Sequence, residues 1–201
     1  MELRPDYPVR ARRLALRPLT EADVGALVAY RSLPEVCRWV PFEPMDETLV
    51  RQRLRGPWAR RHLEAEGQAI LLGAELCESG ELIGDVLLTW HSAADRGGEV
   101  GYVFAPARSG QGYATEAVHQ LLHLAFDELG LHRVVARVDT ENKASARLCR
   151  RLGMRLEAHL VENEWFKGRW ADEFDFAILE HEWVVQHETG CPYQGPDREP
   201  A

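Results

Sequence analysis

The sequence is poor in whatever would staple a chain, carry it through a membrane or hold it on a nucleic acid. Its four cysteines, Cys37, Cys77, Cys149 and Cys191, stand far apart with no C-x-x-C pair. Neither a zinc site nor a disulfide framework is indicated, and a reducing cytoplasm is the expected setting. No apolar run approaches the roughly 20 residues of a membrane-spanning helix, and the start lacks an apolar signal core, so neither a span nor export is expected. Positive charge is in deficit: 24 Lys and Arg against 32 Asp and Glu leave a net charge of −8. Such a field repels nucleic acid and favours cationic partners such as amines. Internal repeats are absent as well.

What remains is a globular composition. Hydrophobic residues make up 45% and charged residues 28% of 201 residues, enough for one domain with a substantial core. Leu14 to Leu19 alternates as a short strand does, and Thr20-Glu21-Ala22-Asp23 caps a helix running to about Arg31. Pro34, Pro41 and Pro44 predict loop, and Glu47 to Glu66 carries a helical pattern split at Gly56-Pro57. Three consecutive antiparallel strands are predicted at Ala69–Leu76, Glu81–Trp90 and Glu99–Phe104. The period then changes to that of a helix: Ala114, Ala117, Val118, Leu121, Leu122, Ala125, Phe126 and Leu129 share one face. A strand at Arg133–Val138, a helix at Asn142–Leu152 and strands at Met154–Val161 and Glu173–Leu179 follow. The last two flank an aromatic-rich turn containing Lys167-Gly168-Arg169. The order predicts a mixed α/β (α+β) sheet. Residues 1–11 read as an N-terminal arm, 12–183 as the domain and 184–201, polar and aperiodic, as a flexible tail.

The chemistry is expected between the third strand and the long helix, at Arg108-Ser109-Gly110-Gln111-Gly112-Tyr113-Ala114. Two glycines let the backbone turn tightly and approach a ligand, and the helix start presents unpaired N–H groups at its positive dipole end. A phosphate or diphosphate is the natural occupant; a tight turn with no ligand is the alternative. It is neither a P-loop nor a dinucleotide fingerprint, because no Gly-Lys-Ser/Thr follows and Thr115 stands where a third glycine would be. From Asn142 to Arg155 there are five basic residues and no acid, a surface favourable to phosphates or an ordinary solvated helix face.

The runs G-E-V-G-Y-V-F-A-P, S-G-Q-G-Y-A-T-E-A and E-N-K-A-S-A-R-L-C-R-R-L-G-M resemble, in that order and spacing, the GCN5-related N-acetyltransferases (GNAT). Within that superfamily the resemblance is to the branch that acetylates ribosomal-protein N-termini, and it covers about Arg12 to Trp183. It implies a GNAT-like, mostly antiparallel sheet flanked by helices, with a splayed central strand pair, and acetyl-CoA as co-substrate with no metal. It also implies that the amides of Ser109, Gly110, Gln111, Gly112, Tyr113 and Ala114 cradle the diphosphate. Pantetheine would pair with main chain at Val103 and Phe104, with Asn142 and Ser145 beside it.

Two positions depart from the family pattern. Ser109 replaces a common Arg or Gln, and Cys149 stands where many members carry a tyrosine as general acid. Acyl transfer from a thioester to an amine calls for a base, an oxyanion donor and a proton source for the thiolate. The candidates are Glu99 as base, a strand amide near Val103 for the oxyanion and Ser145 as donor; each also reads as an ordinary strand-edge or helix-start residue. Cys149 could donate, be acylated, or simply pack. His119 and His123, four apart, resemble a metal pair only superficially. The aromatics Trp165, Phe166, Trp170, Phe174 and Phe176 read as core, dimer surface or a wall of the acceptor pocket, with Glu162 and Glu164 drawing the amine in. The expected activity is acetyl transfer to a protein N-terminal amine. A small-molecule amine (aminoglycoside, polyamine or amino acid), a non-catalytic acyl-CoA-binding module and a purely structural protein are the alternatives, and a homodimer is plausible.

Overall fold

A computed structural model of the chain describes residues 1–188; residues 189–201 lie outside them. Eight strands form one sheet: β1 (Val9–Arg10), β2 (Leu14–Pro18), β3 (Ala69–Leu76), β4 (Leu82–Ser92), β5 (Gly97–Phe104), β6 (Arg133–Asp139), β7 (Arg155–Phe166) and β8 (Arg169–Leu179). Their spatial order is β1-β2-β3-β4-β5-β6-β8-β7. Every neighbour is antiparallel except β5 and β6. Among the described residues six α-helices flank it: α1 (Val24–Arg31), α2 (Pro34–Cys37), α3 (Glu47–Leu54), α4 (Tyr113–His123), α5 (Lys143–Arg151) and α6 (Glu180–Glu188).

Side-chain alternation along the strands divides the core in two. On one face Val86, Leu88, Val100, Val134, Ala136, Val138, Phe176 and Ile178 pack against Ala117, Val118, Leu121 and Leu122 of α4 and Ala146 and Cys149 of α5. On the other, Leu71, Leu82 and Val103 meet Val24, Leu27 and Tyr30 of α1 and Val50 and Leu54 of α3. The predicted apolar stripe of the long helix is buried as expected, though its last turn, Leu124–Glu128, widens to a π-helix closed by Leu129 N–H to Leu124 C=O.

Several elements differ from the sequence expectation. Pro34 opens the short helix α2 rather than a loop, because proline suits a first helical position. The helical pattern after Glu47 stops at Leu54; beyond Gly56-Pro57 only a 3₁₀ turn forms. The last hairpin is longer than predicted, since the aromatic segment is strand on both sides of a Lys167-Gly168 turn with both φ angles positive. Within residues 1–11, read as an N-terminal arm, Leu3 is buried and exchanges main-chain hydrogen bonds with Leu63. Helix α6 carries the chain past Trp183, which stacks on Phe126 inside the core, and only part of the predicted tail falls outside the described residues.

One ion pair lies at the heart of the second core. Arg31 and Asp85 are both almost fully buried and pair at 2.6 Å (Nη2–Oδ1) and 3.0 Å (Nε–Oδ2), while Tyr30 O–H donates to Asp85 Oδ2 at 2.5 Å. Phe42 and Trp58 lie against the guanidinium, each at 4.7 Å from ring centre to Cζ. Removing one partner of such a pair strands a buried charge. Asp85→Asn is therefore expected to lower the unfolding free energy by about 3–5 kcal/mol. Arg51→Ala, at an exposed pair with Glu47, costs under about 1 kcal/mol; urea denaturation of both variants checks the contrast.

Candidate active site

The sheet opens at its centre. Strands β5 and β6 pair over only three positions, Gly97–Arg133, Gly98–Val134 and Glu99–Val135. Beyond Glu99, β5 stays on β4 as far as Phe104–Gly84, while β6 stays on β8 as far as Asp139–Glu173. The two halves diverge and leave a gap between Gly101–Phe104 and Ala136–Asp139. Ala105 N–H bonds to Ile83 C=O, so by alternation Val103 turns its main-chain groups toward β4, and Tyr102 and Phe104 turn theirs toward the gap. Of the two predicted main-chain positions, Phe104 faces the opening. Val103 instead packs its side chain in the second core.

The glycine turn sits at the end of that gap. Gly110 and Gly112 adopt φ of +77° and +79°, conformations that L side chains rarely reach. Tyr113 begins α4, so the amides of its first turn lack intrahelical acceptors. An arginine that sequence reasoning passed over braces this turn. Arg13 donates to the buried Glu116 of α4 through its main-chain N–H (2.6 Å) and Nε (2.7 Å), and through Nη1 to Gln111 C=O (3.0 Å). Its guanidinium lies 4.4 Å from the Tyr113 ring centre. The pairing joins residues 103 apart in sequence, so no local motif announces it.

Asn142 caps α5 by accepting the Ser145 N–H at 3.1 Å, which fixes both predicted residues at the helix start beside the gap. The basic run divides. Arg155 is committed to Glu157 and Glu182, Lys143 donates to Thr140 C=O, and Arg150 lies over Phe176. Arg147 and Arg151 are exposed. Cys149 is fully buried, and burial pushes its thiol up to about 12. A buried, neutral thiol fits the packing reading of Cys149 and makes a poor nucleophile near neutral pH.

The opposite face of the same strands is acidic. Glu99 Oε2 accepts from Arg137 Nη1 at 2.8 Å and lies 2.9 Å from His91 Nε2. Asp175, across from Arg137, and Glu173, across from Asp139, continue the row. Burial, helped by Asp175, Glu164 and Glu99, pushes the Glu173 carboxyl above the usual carboxylate range, with Arg137 opposing. This face is walled by the β7–β8 hairpin, whose Lys167 Nζ donates to Cys37 C=O (2.8 Å) and Phe42 C=O (2.7 Å) on the α2 segment. The aromatic group is thereby split. Phe176 is core, Phe174 packs at its margin, and Trp165 and Trp170 form an exposed pair at the hairpin tip. Glu162, at the hairpin's bulge, takes a positive φ and donates its N–H to Asp172. His119 and His123 pack around Trp183, with His123 2.6 Å from Asp127. Among the described residues no group of three metal-ligating side chains occurs.

This architecture has known counterparts. Residues 13–155 match the acetyltransferase (GNAT) domain family. The chain is 30% identical over 178 residues to the N-acetyltransferase YnaD of Bacillus subtilis, covering 87% of this chain and 98% of that protein. It is 27% identical to the spermidine N(1)-acetyltransferase of Escherichia coli K12, over 89% of this chain and 92% of that protein. It is likewise 27% identical to YdaF of Bacillus subtilis, a protein named for ribosomal N-acetyltransferase activity, over 73% of this chain and 79% of that one. The crystal structure of a GNAT-family acetyltransferase from Bacillus anthracis superposes with a TM-score of 0.77 at 27% identity, covering 90% of this chain and all of that one. The splayed strands, the glycine turn on a helix start and these similarities converge: the chain belongs to the GNAT family and is an acetyl-CoA-dependent N-acetyltransferase.

Proposed function

We propose that the protein acetylates a protein N-terminal amine by direct attack within a ternary complex, drawing the cationic acceptor in over the carboxylate-lined face and the acyl donor in through the gap. The observation that carries this reading is the placement of Glu99. It ends the paired part of β5, with its side chain on the acidic face and the open strand edge immediately beyond it. Acetyl-CoA supplies the activated thioester. The glycine-turn amides from Gly110 to Ala114 hold its phosphates, the expected Ser109 N–H being committed to Pro106 C=O at 3.0 Å, and the main chain of Tyr102 and Phe104 pairs with the pantetheine and receives the oxyanion. Glu99 accepts the amine proton and His91, more exposed, passes it to solvent. Ser145 donates to the leaving sulfur.

A second acceptor, a polyamine, is favoured by one observation. Glu99, Glu164, Glu173 and Asp175 form one acidic group, in which burial first and the neighbouring carboxylates second raise the Glu173 carboxyl against Arg137, and a ligand with several positive charges neutralises such a group more fully than a single terminal amine. Both classes occur among the relatives described above.

A thiol-release assay with acetyl-CoA against N-terminal peptides, polyamines, aminoglycosides and amino acids separates the readings. Turnover with N-terminal peptides is the expected result; turnover with polyamines alone replaces it by the second reading, and coenzyme A binding without turnover on any amine leaves a binding module. With the active acceptor, Glu99→Gln is expected to lower kcat about 100-fold, the usual scale of a lost general base, with the KM for acetyl-CoA unchanged. Intact-protein mass spectrometry after incubation with acetyl-CoA alone is expected to show no acetyl adduct on Cys149. An adduct there overturns direct attack.

A further inference from the structure

Position 149 of α5 carries a thiol rather than a phenol, but a strand tyrosine buries its hydroxyl on the same face of the sheet. Tyr102 lies three residues beyond the last β5–β6 pair, in the diverging part of β5. Its side chain turns to the face shared with α4 and α5, with Val100 and Phe104. Its hydroxyl is buried and has no hydrogen-bond partner among the described residues. Ser145 and Cys149, four apart and so on one face of α5, bring polar side-chain atoms near it, neither in hydrogen-bond geometry. A buried hydroxyl left without a partner costs about 1–3 kcal/mol, and such exceptions concentrate where a ligand or catalytic step completes the bond.

On the acetyl-transfer reading above, we propose that Tyr102 is the positioning residue of the leaving-group site: with the thioester seated, its O–H turns to donate to Ser145 Oγ, so that the Ser145 O–H is aimed at the departing sulfur. Of the two neighbours Ser145 is the effective relay, since a hydroxyl both accepts and donates well, whereas the Cys149 thiol does each only weakly. As the C–N bond forms, the thioester C–S bond breaks with its electron pair on sulfur. Ser145 stabilises that thiolate by a hydrogen bond. The proton the thiol finally takes is balanced by the one the amine nitrogen gives up through Glu99. Tyr102 keeps its own proton throughout, because burial holds its phenol well above the ordinary range. It is a permanent donor at every pH at which the acceptor amine is free to attack.

The test reads the thiol itself and needs no acceptor. Coenzyme A bound to the wild-type chain, and to Tyr102→Phe, Ser145→Ala and the double variant, is titrated by thiolate ultraviolet absorbance. Tyr102→Phe is expected to raise the ionisation midpoint of the bound thiol by about one pH unit, a tenfold loss of thiolate at fixed pH. Ser145→Ala does the same and the double variant adds nothing further, the mark of two groups acting as one. With an active acceptor, Tyr102→Phe lowers kcat about tenfold and leaves the acetyl-CoA KM unchanged. Incorporating 3-fluorotyrosine at position 102, a more acidic phenol of the same shape, moves the midpoint the other way and guards against a folding defect in the Phe variant. An unchanged midpoint in Tyr102→Phe, or shifts that simply add in the double variant, overturns the proposal. Failure of the wild-type chain to bind coenzyme A in calorimetry overturns the acetyl-transfer reading instead, and this inference with it.

Discussion

The site depends on one constraint: β5 and β6 are held together for three residue pairs and then forced apart. A strand edge inside a sheet is normally satisfied by its neighbour, and buried main-chain groups without partners are costly. Here each diverging strand is stabilised from its far side, β5 by β4 and β6 by β8. Neither can therefore swing to close the gap without giving up a full antiparallel ladder. What fills the opening must bring main-chain-like donors and acceptors of its own, a requirement that the amide-bearing pantetheine arm meets. The glycine turn stands where β5 hands over to α4, and the Arg13 bridge to Glu116 and Gln111 ties that turn to the start of β2. Gap and glycine turn are thus tied together by these bonds rather than merely adjacent.

The same strand then separates the two halves of the chemistry. Successive side chains of β5 point to opposite faces, so Glu99 meets Arg137 and His91 on the acidic face while Tyr102 reaches toward Ser145 on the helical face. Proton removal from the amine and stabilisation of the sulfur are assigned to opposite sides of one short segment, with the thioester's path between them. The net charge of −8 resolves in the same way. Carboxylates gather on one face of β5 and β6, the face proposed for the acceptor, whereas the other side offers helix-start amides and the exposed Arg147 and Arg151. An acidic protein is no worse a host for a phosphate-bearing co-substrate when the phosphates are met by main chain.

Much of this was legible in the sequence because it is local. Period-two and period-3.6 patterns located the strands and the buried stripe of α4. The paired glycines marked the turn, and the ordered motifs carried the family. What escaped was the product of long-range packing. Arg13 and Glu116, Lys167 and the Cys37 and Phe42 carbonyls, and Arg31 and Asp85 are partners 54 to 130 residues apart, and nothing in the spacing of either member names the other. The hairpin was underestimated because Glu162 and the bulges between Leu156 and Ala158 and between Leu160 and Glu164 interrupt alternation without ending the strand. Val103 was assigned to the gap because a motif gives a position along the strand but not the direction of its peptide groups. The Ala105–Ile83 bond supplies that direction.

Tyr102 was hidden for a different reason, and the reason bears on Cys149. As a sequence position Tyr102 is one more aromatic in a strand, a residue type enriched there for packing alone. Its significance appears only when its hydroxyl is seen buried beside Ser145 and Cys149 with no bond to make. Ser145 and Cys149 project from one face of α5 onto the same small volume. A tyrosine at position 149 would compete for that space, because cores are close-packed and an added ring must displace something. The small thiol leaves room for the phenol from the strand. The replacement that looked like the loss of an acid is then the condition for admitting a donor from β5, and the two residues are best understood as one choice made by the fold about which element supplies the phenol.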